Sequence, residues 1–182
     1  MNGETLVPGD VFNDIKGKDI TIILDMGDGI SWTINGKDIT SDNVGDIDFG
    51  VEIGTNTIPV EIINKVFGER YTMQLSLAYE GEFGLTAVLS FKLDSKNAGL
   101  YANLFYYNVN SGELEFICAD EIDADGTVRL TFTHASDYAI VIDRKPLDGS
   151  LDTDTEQNTD NSGDDDTQKA PATGDDVWNP LW

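Results

Sequence analysis

Three residue types of a hydrolase triad, His134, Ser136 and Asp137, occur within one four-residue segment. A triad needs its nucleophile, base and orienting acid arrayed in a line in space. Side chains two and three positions apart on one extended segment do not present that arrangement. Turn chemistry is the better interpretation, with Ser136 and Asp137 bonding to nearby backbone groups.

Glycoside hydrolysis requires only two carboxylates at a suitable separation. Glu80 and Glu82 could form such a pair, but the chain contains 34 Asp and Glu residues and nothing singles out two of them. We therefore predict no catalytic residues, no enzyme activity and no cofactor.

Two acidic turns, residues 25–29 and 123–126, resemble the start of calcium-binding loops. Neither follows the full calcium-loop pattern, and neither has the Glu expected at the twelfth loop position. Because both lie between predicted strands, Asp-Gly hairpin turns explain them, and we predict no dedicated metal site. Weak calcium binding is the alternative, favoured by the negative charge of the chain.

Aromatic residues offer a second kind of chemistry, the stacking of sugar rings. Trp32 and Tyr106 are the candidate glycan-binding residues. Along a strand Phe105 and Tyr107 face one side and Tyr106 the other, so at least one of these faces must be core. Burial of the aromatic side chains at Trp32, Tyr79, Tyr101, Tyr106 and Tyr107 would remove this platform.

Composition limits the partners and the fold. The net charge is −23, which disfavours nucleic acids and anionic membranes as partners. The one Cys, Cys118, excludes an intrachain disulfide and is expected to be a small buried apolar residue. Hydrophobic residues make up 40% of the chain, which is enough for one hydrophobic core. We expect the chain to be a monomer.

The elements that must position these residues are mostly strands. Residues 20–24, 31–34, 71–79, 85–93, 128–132 and 138–142 are rich in β-branched, aromatic or alternating apolar side chains. Asp10 is expected to cap a short helix that ends near Gly17, and a second helix follows Pro59 and ends at Gly68. About nine short strands with one or two helices indicate a mainly β fold, an antiparallel β-sandwich.

Strict alternation predicts the core of this sandwich. Residues 71–79 and 85–93 are expected to pair as a hairpin around the turn at residues 80–84. The apolar side chains expected to point inward are Leu75, Leu77, Leu89, Phe91, Leu130 and Phe132.

Residues 144–169 differ from this domain, residues 1–143, in composition. They include the polar, acidic run DTDTEQNTDNSGDDDTQK, which has too few apolar side chains to offset chain entropy, so we predict a disordered linker. A coil from residue 144 to residue 171, about 28 residues, has an end-to-end distance on the order of 30 Å. Residues 170–182 follow, with the segment APATGDD and then the apolar VWNPLW.

Two resemblances follow from these segments. The first covers residues 8–143 and is carried, in order, by VFNDIKGKDITIILDMGDGISWTINGKDI, DIDFGVEIG, IPVEIINKV, QLSLAYEGEFGLTAVLSFKL, AGLYANLFYYNVNSGELEFI and TVRLTFTHASDYAIVID. Through these blocks the domain resembles a small β domain found near the C-terminus of many multidomain surface proteins of Gram-positive gut bacteria, where it has no known activity of its own.

The segment APATGDD resembles the Leu-Pro-x-Thr-Gly sorting signal of sortase-anchored proteins. Its residues are Ala170, Pro171, Ala172, Thr173 and Gly174, with Ala170 where Leu is usual. The resemblance implies cleavage after Thr173, attachment of Thr173 to a peptidoglycan cross-bridge, and a cell-surface location.

We accordingly expect the C-terminal piece of a larger surface protein, ending before its membrane anchor. The domain would be a non-catalytic stalk. A glycan-binding or adhesin module is the alternative.

Overall fold

Nine β-strands and two α-helices form the part of the chain that the computed structural model describes, residues 4–147. Every strand pairing among these residues is antiparallel, which confirms the predicted mainly β sandwich class. In chain order the elements are β1 (Leu6–Val7), α1 (Gly9–Ile15), β2 (Thr21–Gly27), β3 (Ile30–Asn35), β4 (Ile47–Asp48), β5 (Val51–Ile53), α2 (Val60–Phe67), β6 (Thr72–Lys92), β7 (Tyr101–Asn108), β8 (Glu113–Glu121) and β9 (Thr127–Asp143). The linker from residue 148 onward and the sorting-signal segment lie outside the described residues. Neither helix within residues 4–147 is long and apolar enough to cross a membrane.

Both predicted helices form, with one correction at a cap. Helix α2 ends at Phe67 with Gly68 as its C-cap, as expected. Helix α1 begins at Gly9, so Pro8 occupies the N-cap position and Asp10 lies inside the first turn. Pro8 is suited to this boundary because its φ is fixed, and the carboxylate of Asp10 lies near the positive end of the helix.

The predicted hairpin of residues 71–93 is wrong. Residues 72–92 form the single strand β6, which pairs along its length with β9 rather than with itself. Gly81 and Gly84 adopt positive φ values of 99° and 71°. Such backbone angles suit glycine, and here they bend the strand without reversing it.

Strand order places β6 and β9 at the centre of the main sheet. The order is β2-β3-β6-β9-β7-β8, and β5 pairs with the first part of β6. Register shifts between Ser76 and Gly81 and between Glu82 and Ala87 interrupt the β6–β9 ladder. These irregularities divide the sheet into two halves, one with β2 and β3, the other with β5, β7 and β8.

The two halves enclose one hydrophobic core, called the inner core below. It includes Trp32 from one half, Leu104 from the other, and residues from both ends of β6 and β9. The predicted inward set is confirmed, with Leu77 partly buried and Leu75, Leu89, Phe91, Leu130 and Phe132 buried.

A second, smaller cluster lies on the other face of β7 and β9, under α2. Its buried members are Ile58, Ile63, Phe67, Phe105, Ala139, Val141 and Leu147. Strand β9 therefore contributes alternate residues to two cores, which is why residues 138–142 are all buried and uniformly apolar apart from one hydroxyl.

Asn103 fixes the chain as it leaves β9. It is fully buried, and its Oδ1 accepts a hydrogen bond of 2.7 Å from the Leu147 N–H. Its Nδ2 donates to the carbonyl oxygens of Val141 and Lys145, each at 3.4 Å. The packed chain thus continues through Leu147, beyond the boundary placed at residue 143 by composition.

Truncating Phe91 tests the inner core. Phe91→Ala is expected to lower the free energy of unfolding by about 3–5 kcal/mol, because it leaves a cavity among residues that cannot collapse fully. Ile23→Ala is the matched control, since Ile23 is 66% exposed on the edge strand β2 and should lose less than about 1 kcal/mol. Urea denaturation measures both, and equal losses would contradict the core assignment.

Removing the Asn103 amide tests the anchoring of the exit segment. Asn103→Ala should destabilise the domain by about 1–3 kcal/mol, because the Leu147 N–H and two carbonyls lose their buried partner. Hydrogen exchange at Leu147 should accelerate in this variant. The exposed loop residue Asn110 supplies the control, Asn110→Ala. Unchanged protection at Leu147 in Asn103→Ala would refute the anchoring role.

Candidate functional site

The residues of the predicted sorting signal, Ala170, Pro171, Ala172, Thr173 and Gly174, lie outside the described residues. The structure therefore bears on the other candidates, which are the aromatic and ionisable side chains of residues 4–147.

Trp32 is a core residue. Its side chain is fully buried, and the indole Nε1 donates a 2.9 Å hydrogen bond to the Phe49 carbonyl. The rings of Phe49 and Phe132 pack edge-on against it, each at a centroid distance of 5.4 Å. This burial removes Trp32 from the candidate glycan-binding residues, because the inward face of its strand points the ring into the inner core and leaves no surface on which a sugar could stack.

Tyr106 is half-buried and packs against the inner core. Its ring stands perpendicular to the imidazole of His134 at a centroid distance of 4.6 Å, and it also contacts Tyr138 at 6.0 Å. The Tyr138 hydroxyl donates a 2.6 Å bond to the His134 carbonyl. Burial, and then the proximity of Tyr106 and Glu82, raise the pKa of Tyr138 above its ordinary range. These contacts hold the Tyr106 ring within the protein.

Within residues 4–147 the exposed aromatic ring is one that the sequence did not single out. Tyr79, Tyr101 and Tyr107 are all partly buried, whereas Tyr71 is 58% exposed. Tyr71 is in phase with Leu75 and Leu77, which alternation predicts to point inward, but β6 begins one residue later, at Thr72. The charged pair Glu69-Arg70 just before it is the sequence signal that the strand had not yet begun.

The triad residue types do not assemble. His134 and Asp137 lie on β9 near its bend, opposite Glu82 and Ser76 respectively. The Ser76 hydroxyl lies 2.5 Å from Asp137 Oδ1 and 3.1 Å from the Thr55 hydroxyl. Asp137 thus bonds across the ladder rather than to the local backbone, so the turn interpretation was wrong in its geometry.

The acidic turns use their carboxylates locally. Asp25 Oδ1 accepts from the Gly27 N–H, and Asp125 Oδ1 accepts from the Thr127 N–H. The hydrogen bonds from Thr127, with a further one from Lys92, lower the pKa of Asp125 to about 2. Within residues 4–147 no group of three or more His, Cys, Asp or Glu side chains is arranged to hold a metal ion.

The thiol of Cys118 contacts backbone groups of β9 in addition to packing against the inner core. Its Sγ lies 3.5 Å from the Thr131 N–H and 3.8 Å from the Thr131 carbonyl, so the thiol takes the place of a strand partner for β9. Asp120 Oδ2 accepts from the Arg129 N–H in the same way at 2.8 Å. The Cys118 side chain is only partly buried. Burial nevertheless raises the pKa of its thiol, and the negative charge of nearby Asp120 raises this pKa further.

A groove adjoins Tyr71. Its volume is about 270 Å³, and it runs between the start of β6 and the loop at residues 54–56. Ile63 of α2 and Met73 provide an apolar part of the lining, and Thr55, Asn56 and Thr72 provide polar groups. A more open depression of about 410 Å³ lies further along β5 and β6, between Gly50 and Ala78.

Cys118 should react slowly with iodoacetamide in the folded chain. At pH 8 we expect alkylation at least about tenfold slower than in the same chain unfolded in urea, because the thiolate is the reactive form and the fold favours the thiol. Because the pKa of the Cys118 thiol is higher in the folded chain than in the unfolded chain, the protonated thiol stabilises the fold at pH values below the ordinary thiol pKa. This contribution to stability is lost as the pH rises through the raised pKa. Mass spectrometry gives both rates, and similar rates would disprove the protected site.

Comparisons with protein-family models, with curated proteins and with solved structures found no match to this chain.

Proposed function

We propose that this chain is the wall-attached presentation region of an extracellular surface protein. The observation that carries the proposal is the sequence around Thr173, where Pro171, Thr173 and Gly174 occupy the positions of a sorting signal. The sandwich is the stalk, the acidic linker spaces it from the wall, and sortase and the peptidoglycan cross-bridge are the partners.

The chemistry of the signal fits a transpeptidase substrate. Pro171 fixes its own φ and favours an extended conformation at Ala170. Gly174 has no side chain, so a nucleophile can approach the Thr173 carbonyl closely. In the proposed exchange, the amide bond between Thr173 and Gly174 breaks and an amide forms between Thr173 and the acceptor amine, while Gly174 leaves with a free amino group.

The anchoring of β9 supports a role as a stalk. Tension from a wall attachment would reach the domain through Leu147 and β9. Residues 127–141 of β9 pair with β6, and residues 138–143 pair with β7. Asn103 adds side-chain bonds at the exit. Because the last part of β9 pairs on both sides, its extraction requires two ladders to break together.

The proposal assigns the sandwich no catalytic residues and no cofactor. Of the triad residue types, Asp137 bonds to Ser76 across the ladder and not to His134. The net charge of −23 favours a soluble spacer that repels anionic surfaces and nucleic acids.

A transpeptidation assay tests the attachment. The purified chain is incubated with a sortase that accepts Ala at the first signal position and with a short peptide whose free amino terminus serves as the acceptor. Mass spectrometry should show residues 1–173 joined to the acceptor and residues 174–182 released.

Two variants give this assay its controls. Thr173→Ala should yield no joined product, and Ala170→Leu, which restores the usual residue, should react at least as fast as the unmodified chain. Cleavage at another bond, or an unmodified chain that does not react while Ala170→Leu does, would contradict the proposal.

A further inference from the structure

We propose that the groove beside Tyr71 binds one pyranose ring of a neutral glycan. This inference is independent of wall attachment, because it depends only on residues 54–74 of the sandwich. The groove's volume of about 270 Å³ lies just below the range typical of small-molecule sites, which limits the ligand to a single ring.

Tyr71 supplies the stacking surface. It is 58% exposed, and its ring has no aromatic contact and its hydroxyl no hydrogen bond among residues 4–147. Its backbone is nevertheless fixed, since its carbonyl accepts a 3.1 Å bond from the Ile142 N–H of β9. A Tyr ring on a fixed backbone at the mouth of a groove can pack against the C–H face of a sugar with a small loss of side-chain entropy, because Tyr has only two side-chain torsions.

The loop facing Tyr71 is anchored before any ligand arrives. The Gln74 carbonyl accepts from the Gly54 N–H at 2.8 Å and from the Thr55 N–H at 3.3 Å. The Gln74 side chain accepts from the Ile58 N–H at 2.9 Å and donates to the Ile58 carbonyl at 3.2 Å. Preorganisation of this kind lowers the ordering cost of binding.

The polar groups of the groove match sugar hydroxyls. The Asn56 amide offers a donor and an acceptor, and it has no hydrogen-bond partner among the residues that the structure describes. The hydroxyls of Thr55 and Thr72 have one protein partner each and retain further bonding capacity. A pyranose, with an apolar face and a rim of hydroxyls, presents the complementary pattern.

Charge selects a neutral sugar. The residues that line the groove are all uncharged, and the chain as a whole carries a net charge of −23. A carboxylated or sulfated sugar would therefore meet repulsion with no cation in the groove to offset it.

Nuclear magnetic resonance titration tests the site. The ¹⁵N-labelled chain is titrated with methyl β-glucopyranoside, methyl β-galactopyranoside and N-acetylglucosamine, with glycerol as a polyol that lacks a ring. At least one pyranoside should shift the amides of residues 54–56 and 71–74 in a saturable manner, while glycerol should not.

Matched variants separate stacking from folding. Tyr71→Ala should weaken binding about tenfold, and Tyr71→Phe, which keeps the ring, should stay within about threefold. Asn56→Ala should also weaken binding. Val109→Ala, which alters an exposed apolar residue in the β7–β8 loop, should leave the affinity unchanged. Thermal melts of all four variants check that the fold persists.

Three outcomes would overturn the inference. In the first, no pyranoside causes saturable shifts at concentrations up to about 50 mM. In the second, saturable shifts occur but are centred on another surface. In the third, Tyr71→Ala and the unmodified chain bind with equal affinity. None of them affects the transpeptidation assay, so the two proposals fail separately.

Discussion

The pairing of β6 with β9 is the constraint on which the rest of the sandwich depends. The two strands together span residues 72–92 and 127–143, and each contributes to both halves of the sheet. A ladder of that length without irregularities would be one twisted sheet whose two ends do not face each other. The register shifts near Gly81 bend both strands together, so that side chains from their two ends meet in one core.

Placement of the remaining strands follows from that bend. Strand β3 adds to the end of β6 near Leu89, and β5 adds to its beginning near Leu75. On the other side β7 pairs only with the second part of β9. The first part of β9 faces β8 through the side chains of Cys118 and Asp120, which satisfy its backbone groups where no ladder forms. The free edge is thus protected by two side chains instead of a neighbouring strand.

Burial divides the aromatic residues between structure and surface. Trp32, Phe49 and Phe132 form the centre of the inner core, and Tyr138 joins them through its ring contact with Phe132. Tyr71 lies one residue before β6, and its side chain is exposed and belongs to neither core. The domain therefore combines a closely packed interior with a small groove that is lined by uncharged residues.

The sequence by itself determined the mainly β class, helix α2 with its Gly68 stop, and the inward direction of Leu89 and Phe132, because these depend on local periodicity and local backbone preferences. It also contains Pro171, Thr173 and Gly174, on whose residue types alone the proposed sorting signal rests. Only the tertiary structure decided that residues 72–92 form one bent strand, since a glycine can bend a chain or reverse it according to which strand pairs beside it. Exposure of Tyr71 and burial of Trp32 were decided in the same way, because alternation gives the face of a strand but not where the strand begins or what covers it.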